Sequence, residues 1–310
     1  MIAALSWRAA QALFVVLLVG VLTYLLMQSL PGDMAWRIAA GRYGYDLVDA
    51  AAASKVAAEL SSQTGLSGLL QWLWSALQFD FGPSLVSGES VAHEVLWQLG
   101  HTLQLAAIAL LLTLLMSLPV GVWAGLNPQG VVDRALFWLS SLLRAIPHFA
   151  LGLLLIVLFA ITLKILPGAG AGQWQHSVLP AFTLAIGLSA LGARVTRNLM
   201  FEVAQSAWYR WGRQKGLSPT RLFWQHGWRN LGAPLVTWLA VQFVWLVEGV
   251  VVVETLFAWP GIGHALVHAI FARDIPVVQA SAMLLGLLFV VLNACTDVIC
   301  YWLDPRGRQA

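Results

Sequence analysis

The stretch Leu103–Leu126, LQLAAIALLLTLLMSLPVGVWAGL, decides the fold class, because its 24 residues include no charged side chain. A helix rises about 1.5 Å per residue, so about 20 apolar residues cross the hydrocarbon core of a bilayer. The whole chain is also rich in apolar residues, since 59% of its 310 residues are hydrophobic and only 10% are charged. In soluble domains about 25% of residues are charged. The sequence therefore predicts an all-α, polytopic membrane protein.

Five further apolar segments are long enough to span a membrane, which gives six predicted transmembrane helices. They cover residues 9–29, 103–125, 136–163, 179–198, 231–253 and 279–302. The first run exceeds the roughly 7–15 residues of a signal-peptide core, so we expect an uncleaved span. The predicted organisation is a first transmembrane helix (1–30), an external loop region (31–102) with short helices at 47–60 and 66–77, a five-helix core (103–302) and a tail (303–310).

The distribution of basic residues predicts the orientation of the chain in the membrane. Seven of the 17 Lys and Arg residues lie in segment 194–229, which contains a single acid. Segment 30–102 contains three basic and seven acidic residues. Because an even number of spans puts both termini on one side, we expect both termini and the basic segment to lie in the cytoplasm.

Several kinds of chemistry have no signature in this sequence. It contains no G-x-x-x-x-G-K-[ST] loop, so any ATP-driven motor is a separate chain. It shows no hydrolase or paired-cysteine motif, which disfavours an intramembrane enzyme. His264 and His268 are spaced for a metal pair if their loop is helical, but two polar residues at a membrane–water boundary are the favoured interpretation. We predict that the chain is not an enzyme and has no metal site, no cofactor of its own and no nucleic-acid partner.

The basic segment 199–230 carries the clearest local signals. Met200–Lys215 predicts an amphipathic helix that Gly216 ends. Ser218 and Pro219 then suit the N-cap and the first position of a shorter helix. A loop of this charge also suits anionic lipid, so residue chemistry alone leaves two interpretations open: a docking element for a partner protein, or a lipid-facing loop.

Nine short motifs follow one another along almost the whole chain. They are LPGD (30–33), FDFGPS (79–84), HSVLP (176–180), RQKGLS (213–218), QHGWRN (225–230), PLVT (234–237), VETLFAWPGIG (253–263), RDIPVVQ (273–279) and LDPR (303–306). In this order they resemble the dipeptide/oligopeptide/nickel family of ABC importer permeases, and VETLFAWPGIG is the most specific of them. The alternative is a stand-alone secondary transporter or channel, which would usually show an internal repeat that this sequence lacks.

The resemblance implies a six-span permease subunit, of ABC importer type I, in the bacterial inner membrane. The implied partners are a second homologous permease, two cytoplasmic ATPase subunits that bind ATP and Mg²⁺, and a periplasmic or lipid-anchored binding protein. A short helix at about 218–226 would couple to an ATPase. The coupling residues would be Arg213, Lys215, Gly216, Leu217, Ser218, Pro219, Phe223 and His226. One departure is that Arg210, Trp211 and Gly212 stand where the general motif has Glu-Ala-Ala.

Charged residues inside predicted spans are costly, and they mark candidate contacts for the substrate. We assign Arg144, with its neighbours Pro147 and His148, and Glu248 to the substrate pathway. At depths of about 12 and 25 Å, Arg144 and Glu248 lie too far apart to pair directly unless a helix breaks, and Pro147 is the candidate for such a break in the third span. An Arg144 side chain that reaches back to the cytoplasmic interface is an equal alternative.

The resemblance also implies residues of an external gate and the class of substrate. The gate and loop residues would be Glu254, Trp259, Pro260, Gly261 and Asp274. The implied substrate is nickel, a metal chelate (metallophore), or a di- or oligopeptide. Segments 80–82 and 172–176 are more similar to the nickel and metallophore members, so we expect a metal substrate slightly more than a peptide.

Overall fold

The computed structural model describes residues 2–29, 32–44, 46, 48–60, 72–76 and 78–303. Apart from one isolated bridge between Pro83 and Ser90, the regular structure in these ranges is helical, which confirms the predicted all-α class. Residues 72–76 are helical. The other helices are α1 (Ile2–Ser29), α2 (Met34–Tyr43), α3 (Ala50–Leu60), α4 (Val91–Leu126), α5 (Val131–Ala145), α6 (His148–Leu155), π1 (Ile156–Thr162), α7 (Gln175–Gln205), α8 (Ala207–Gln214), α9 (Pro219–Leu222), π2 (Phe223–Gly227), α10 (Trp228–Gly249), α11 (Val251–Leu256), α12 (Ile262–Ala272) and α13 (Ile275–Leu303).

Among the described residues, four helices are long and apolar enough to cross a membrane: α4, α7, α10 and α13. A fifth span results if the bent run from α5 through α6 and π1 is counted as one. The predicted first span lies within α1, but the apolar part described there, Ala10–Leu26, is shorter than the other four. The structure therefore supports four or five of the six predicted spans by length and composition.

The predicted third span, 136–163, is broken rather than straight. α5 ends at Ala145, Ile146 is extended (φ −90°, ψ 119°), and Pro147 caps α6. The helical parts before and after this point meet at 98°. Proline has no amide hydrogen and its ring forces the preceding residue out of the helical region, which explains the position of the break.

The chain divides into two compact units. Unit 1 consists of Met1–Thr102 and Pro260–Leu292, and unit 2 of Leu103–Trp259 and Asn293–Ala310. In unit 1, α2 packs against α3 and α12. The buried residues of its largest cluster are Ala76, Phe81, Val91, Val95, Ile262, Ala269, Val277, Val278, Ala280, Met283 and Leu284.

Helix α7 is the central element of unit 2, since α5, α6, α8, α10 and α11 all pack against it. α4 also lies very close to it. A Cβ atom on Gly121 would lie 2.7 Å from the carbonyl oxygen of Ala193, and one on Gly125 would lie 2.6 Å from that of Arg197. Two glycines one turn apart therefore let the α4 backbone approach α7.

The loop region before α4 contains one helix that the sequence analysis predicted and one that it missed. α3 confirms the helix predicted at 47–60, whereas most of the one predicted at 66–77 lies outside the described residues. α2 was not predicted. Its N-cap, Asp33, accepts hydrogen bonds from the N–H groups of Ala35 (2.9 Å) and Trp36 (3.2 Å), which is a usual way to start a helix.

Candidate functional site

The basic segment folds into a helix, a turn and a second helix, which we call the coupling segment (residues 206–227). The predicted helix Met200–Lys215 is wrong in one respect, because it is interrupted. α7 runs to Gln205, Ser206 is extended (φ −64°, ψ 147°), and its hydroxyl accepts the N–H of Tyr209 to start α8. A serine has this capping role because its side chain replaces the missing backbone acceptor.

The turn between α8 and α9 depends on Gly216. Its φ of +82° lies in the left-handed region, which glycine adopts without strain. The N–H of Gly216 donates to the carbonyl of Arg213 at 3.0 Å, and the N–H of Leu217 donates to that of Gly212 at 3.3 Å. The Ser218 hydroxyl accepts the N–H of Arg221 at 3.3 Å, as expected of the predicted N-cap.

The second helix does not end at His226-Gly227 as predicted. α9 passes into the π-helical turn π2, and π2 continues directly into α10 at Trp228. The predicted docking helix is therefore the first part of a continuous helical run into a candidate span, rather than a separate helix in a loop.

A buried cluster holds the coupling segment in place. It consists of Met200, Val203, Tyr209, Leu222 and Leu231, and residues near the end of α4 (Leu118, Val122 and Leu126) pack against it. Burial raises the pKa of the Tyr209 hydroxyl. At Gly212, a Cβ atom would lie 2.6 Å from the Cδ1 atom of Leu222, so only glycine allows α8 and α9 to meet this closely.

The opposite face of the coupling segment is exposed, basic and aromatic. Arg213, Lys215, Gly216 and Ser218 are exposed, and Leu217 and Phe223 are half-buried. The side chains of Pro219 and His226 lie outside the described part of the chain. Trp211 and Trp224 are 61% and 63% exposed, and the Lys215 ammonium lies 3.7 Å from the centre of the Trp211 ring. The unusual Trp211 therefore orients one of the predicted coupling cations.

The predicted pathway residues lie at the break in the third span. Arg144 is exposed in the last turn of α5, where a cation stabilises the helix dipole. Pro147 caps α6, and the exposed His148 follows it and contacts α7. A Cβ atom on Gly187 would lie 2.7 Å from the Cε1 atom of His148. The backbone of Glu248 is in α10, and its side chain lies outside the described residues.

Two predicted gate residues, Glu254 and Trp259, belong to unit 2, and both are buried. α11 ends in a tight cap, in which the N–H of Trp259 donates to the carbonyl of Glu254 at 2.8 Å. Ala258 has a positive φ of 48° there. The N–H of Gly170 donates to the carbonyl of Phe257 at 2.9 Å, which joins the loop before α7 to this cap.

The other gate residues, Pro260, Gly261 and Asp274, belong to unit 1. Gly261 caps α12, and the next residue, Ile262, donates its N–H to the Thr102 hydroxyl at 2.9 Å. Asp274 is buried against residues 84–86. Its neighbour Arg273 donates from Nη1 to the carbonyl of Gly32 at 3.1 Å. Unit 1 thus brings the LPGD, FDFGPS and RDIPVVQ motifs together.

His264 and His268 lie on helix α12, as their spacing required. Their rings meet edge to face, with centroids 4.5 Å apart. Both line a cavity of about 300 Å³ in unit 1, together with Glu94, Gln98 and Asp274. Within the described ranges, no group of three or more His, Cys, Asp or Glu residues is arranged to hold a metal ion.

An ion pair that was not predicted joins Asp133 at the start of α5 to Arg197 in the second half of α7. Nε and Nη2 of Arg197 each donate to one carboxylate oxygen at 2.8 Å. The two residues are 64 positions apart, and no local signal links them. This pair places the start of α5 beside the second half of α7. The coupling segment follows the end of α7.

A family model described as "Binding-protein-dependent transport system inner membrane component" matches residues 117–309, which include the coupling segment and the VETLFAWPGIG stretch. The chain belongs to this family. The permease is 36% identical over 310 residues to a protein from Brucella abortus (strain 2308) named as a peptide transport system permease, and the match covers 97% of each chain. It is 35% identical over 297 residues to the glutathione transport system permease protein GsiC of Salmonella typhimurium (strain LT2), with 94% of each covered.

The fold of the permease also matches a solved structure. A chain of the MetNI methionine ABC transporter, in an inward-facing conformation, superposes with a TM-score of 0.53 at 17% identity. The match covers 68% of the permease and 96% of that chain. Family membership makes the permease a non-catalytic inner-membrane subunit, and it implies a binding protein and an ATPase as partners. The expected preference for nickel or a metallophore receives no specific support from these relatives.

Proposed function

We propose that the permease pairs with a second homologous permease to form the pathway of an ATP-driven importer for di- or oligopeptides. It has six spans with both termini in the cytoplasm. The observation that supports this best is the coupling segment, whose exposed basic and aromatic face is fixed to the ends of α4, α7 and α10 by a buried cluster. A rigid, exposed element of this kind suits docking to a motor protein.

In this proposal the energy source lies outside the chain. Two ATPase subunits bind ATP and Mg²⁺, because the permease has no phosphate-binding loop. One ATPase contacts α8, the Gly216 turn and α9. The second ATPase contacts the partner permease, and an external binding protein delivers substrate to the opposite face, with Glu254 and Trp259 of unit 2 as gate residues.

A peptide substrate fits both the relatives and the residues at the break in the third span. The relatives described above are named for transport of peptides and of glutathione, which is itself a tripeptide. Arg144 and His148 are exposed on either side of Pro147, where they are available to bind peptide carboxylates. A nickel or metal-chelate substrate is the alternative outcome of the test below.

The test is uptake into vesicles that contain the permease with its partner permease and ATPases. We expect labelled dipeptide to accumulate only when ATP and the binding protein are both present. Uptake by the permease alone, without ATP, would overturn the proposal in favour of a stand-alone transporter or channel. Calorimetry of the binding protein against dipeptides and nickel chelates decides the substrate, and chelate binding without peptide binding would exclude a peptide importer.

Orientation is tested separately with single cysteines in a cysteine-free background. A cysteine at Ser218 in the coupling segment should react with a membrane-impermeant thiol reagent only after the cells are opened. A cysteine at the exposed Ser87 of unit 1 should react in spheroplasts whose inner membrane is intact. The reverse pattern would contradict cytoplasmic termini.

A further inference from the structure

A cavity in unit 2 lies between the start of α5 and the second half of α7. Its volume is about 650 Å³, and it is open to the surface. None of the residues assigned to the pathway, the gate or the coupling segment lines it. We call it the basic cavity, because its lining includes three arginines. One aspartate and two aromatic residues also line it.

The basic cavity carries an unbalanced positive charge. Asp133, the one acid among the described residues that line it, is already bound by two hydrogen bonds from Arg197. In the same part of the chain neither Arg134 nor Arg194 forms an ion pair, and the Arg194 guanidinium lies over the Phe137 ring, 5.2 Å from its centre. Two guanidinium groups are therefore available for an anion, and both present planar donors that suit phosphate oxygens.

The basic cavity lies where we expect the boundary between the membrane and water. Arg134 lies in the first turn of α5, just after the turn that follows span α4, and Arg194 lies about three turns before the end of α7. The aromatic residues come one turn later on α5. Phe137 is 52% exposed and Trp138 is 72% exposed. A charged end next to exposed aromatic rings matches the layering of headgroups and acyl chains in a bilayer.

We propose that the basic cavity binds an anionic phospholipid, with its phosphodiester between Arg134 and Arg194 and its acyl chains along Trp138. A free phosphate would use the arginines but leave the adjacent apolar surface uncovered, whereas a phospholipid uses both. A zwitterionic lipid would bring its own cation to a site that already has two uncompensated guanidinium groups and whose only carboxylate is occupied. Basic pockets between membrane helices are known to suit anionic headgroups. The proposal rests on membrane insertion of the chain, and it is independent of the transported substrate.

The test uses the assembled transporter, delipidated in detergent, with native mass spectrometry as the measure of bound lipid. The probes are dioleoylphosphatidylglycerol, which is anionic, and dioleoylphosphatidylcholine, which is zwitterionic. We expect Arg134→Gln alone to weaken phosphatidylglycerol binding about fivefold and Arg134→Gln with Arg194→Gln roughly thirtyfold, since one basic residue near a membrane contributes on the order of a fivefold affinity change.

A matched control removes the same charge elsewhere. Arg37 and Lys55 are exposed in unit 1, so R37Q with K55Q changes the net charge equally and should alter binding by less than about twofold. If the double variant of the basic cavity fails to assemble, R134Q decides alone, because the exposed Arg134 has no ion-pair partner among the described residues whose loss would affect folding.

Four results would overturn the proposal. The first is equal phosphatidylglycerol binding by wild type and R134Q. The second is equal binding of phosphatidylcholine and phosphatidylglycerol. The third is no lipid bound in the assembled complex, which would mean that the partner permease covers the site. The fourth is displacement of the lipid by excess inorganic phosphate, which would identify a free-anion site.

Discussion

The hydroxyl of Ser84 donates a hydrogen bond to the carboxylate of Asp274, 190 residues further along the chain, and both side chains are buried. The N–H groups of Leu85 and Val86 donate to the same carboxylate at 3.2 and 3.3 Å. Asp274 therefore holds the turn after the FDFGPS motif against the start of α13.

Replacing Asp274 with alanine should destabilise unit 1. The change leaves the Ser84 hydroxyl and the Leu85 N–H without their acceptor, whereas the Val86 N–H still donates to the Ser84 oxygen at 3.1 Å. Two donors that lose their acceptor in a largely buried place cost about 3 kcal/mol. For a protein of this size we expect Tm to fall by about 5–10 °C. Ser84→Ala is the comparison that keeps the carboxylate. It removes the hydroxyl donor to Asp274 and the acceptor of the Ser87 N–H at 2.9 Å, and it leaves Leu85 and Val86 bonded to Asp274, so it should lower Tm less than D274A. Equal Tm values for D274A and wild type would show that the contact does not hold the turn.

Replacing Gly216 with valine should separate ATP hydrolysis from transport. A Cβ atom on Gly216 would meet no atom of the permease within 4 Å, so the strain within the permease arises from the backbone, where φ is +82°. A non-glycine residue in the left-handed region costs about 1–2 kcal/mol, and a β-branched one more. We expect normal membrane insertion, ATPase activity that no longer responds to substrate, and reduced uptake. Gly216→Ala should show a weaker form of the same defect, and unchanged uptake in G216V would remove the turn from the coupling mechanism.

Replacing Gly187 with alanine should move the His148 ring without weakening the fold. The new Cβ atom would lie 2.7 Å from Cε1 of His148, and this exposed ring can rotate away. Alanine also favours a helix over glycine by about 1 kcal/mol, so Tm should not fall. If His148 binds a peptide carboxylate, we expect KM for uptake to rise about tenfold.

The control for this change is the same substitution in a His148→Ala background. There the alanine has no ring to displace, so G187A should have no further effect on KM. An equal effect in both backgrounds would assign the defect to helix packing and would remove His148 from the pathway.

Acidic pH should weaken unit 1 through His264. Burial, and to a smaller degree the charge of His268, lower the pKa of His264 below its ordinary value of 6.5. As the pH falls below that value, the unfolded chain binds a proton that the folded chain resists. The contribution of neutral His264 is thus fully present above about pH 6.5, and it is lost as the pH falls toward the lowered pKa.

This loss is measurable as a decrease in Tm over that pH range. His264→Gln should flatten the profile there, whereas the carboxyl groups of Glu94 and Asp274, which line the same cavity, remain in both proteins. The same Tm profile in H264Q and wild type would contradict the assignment.

Local chemistry predicted much of the fold and of the coupling segment. The uncharged run at 103–126, the glycine at 216 and the Ser218-Pro219 pair all act through their immediate neighbours, so their helices and turns follow from the sequence. The helix break at Pro147 also follows from a local rule, although the rule does not give the angle of 98°.

Contacts between distant residues could not be predicted in this way. Asp133 and Arg197 pair across 64 residues, and the three motifs that meet at Gly32, Ser84 and Asp274 are joined only by folding. The role of Gly212 was equally invisible, because it depends on the approach of Leu222 from another helix. The end of α9 was misplaced because a π-helical turn keeps the backbone helical through His226-Gly227, where glycine usually indicates a stop.

That π-helical turn makes the number of residues between Leu222 and Trp228 critical, because it joins α9 to α10 without a loop. In an ordinary loop an inserted residue would be absorbed, but here it would turn every face of α10 by about 100° relative to α9. A displacement of α9 should therefore be transmitted to α10 through the continuous helical backbone. Insertions and deletions should therefore be tolerated less well in this stretch than in the loop before α7, because the turn fixes the rotation of α10 relative to α9.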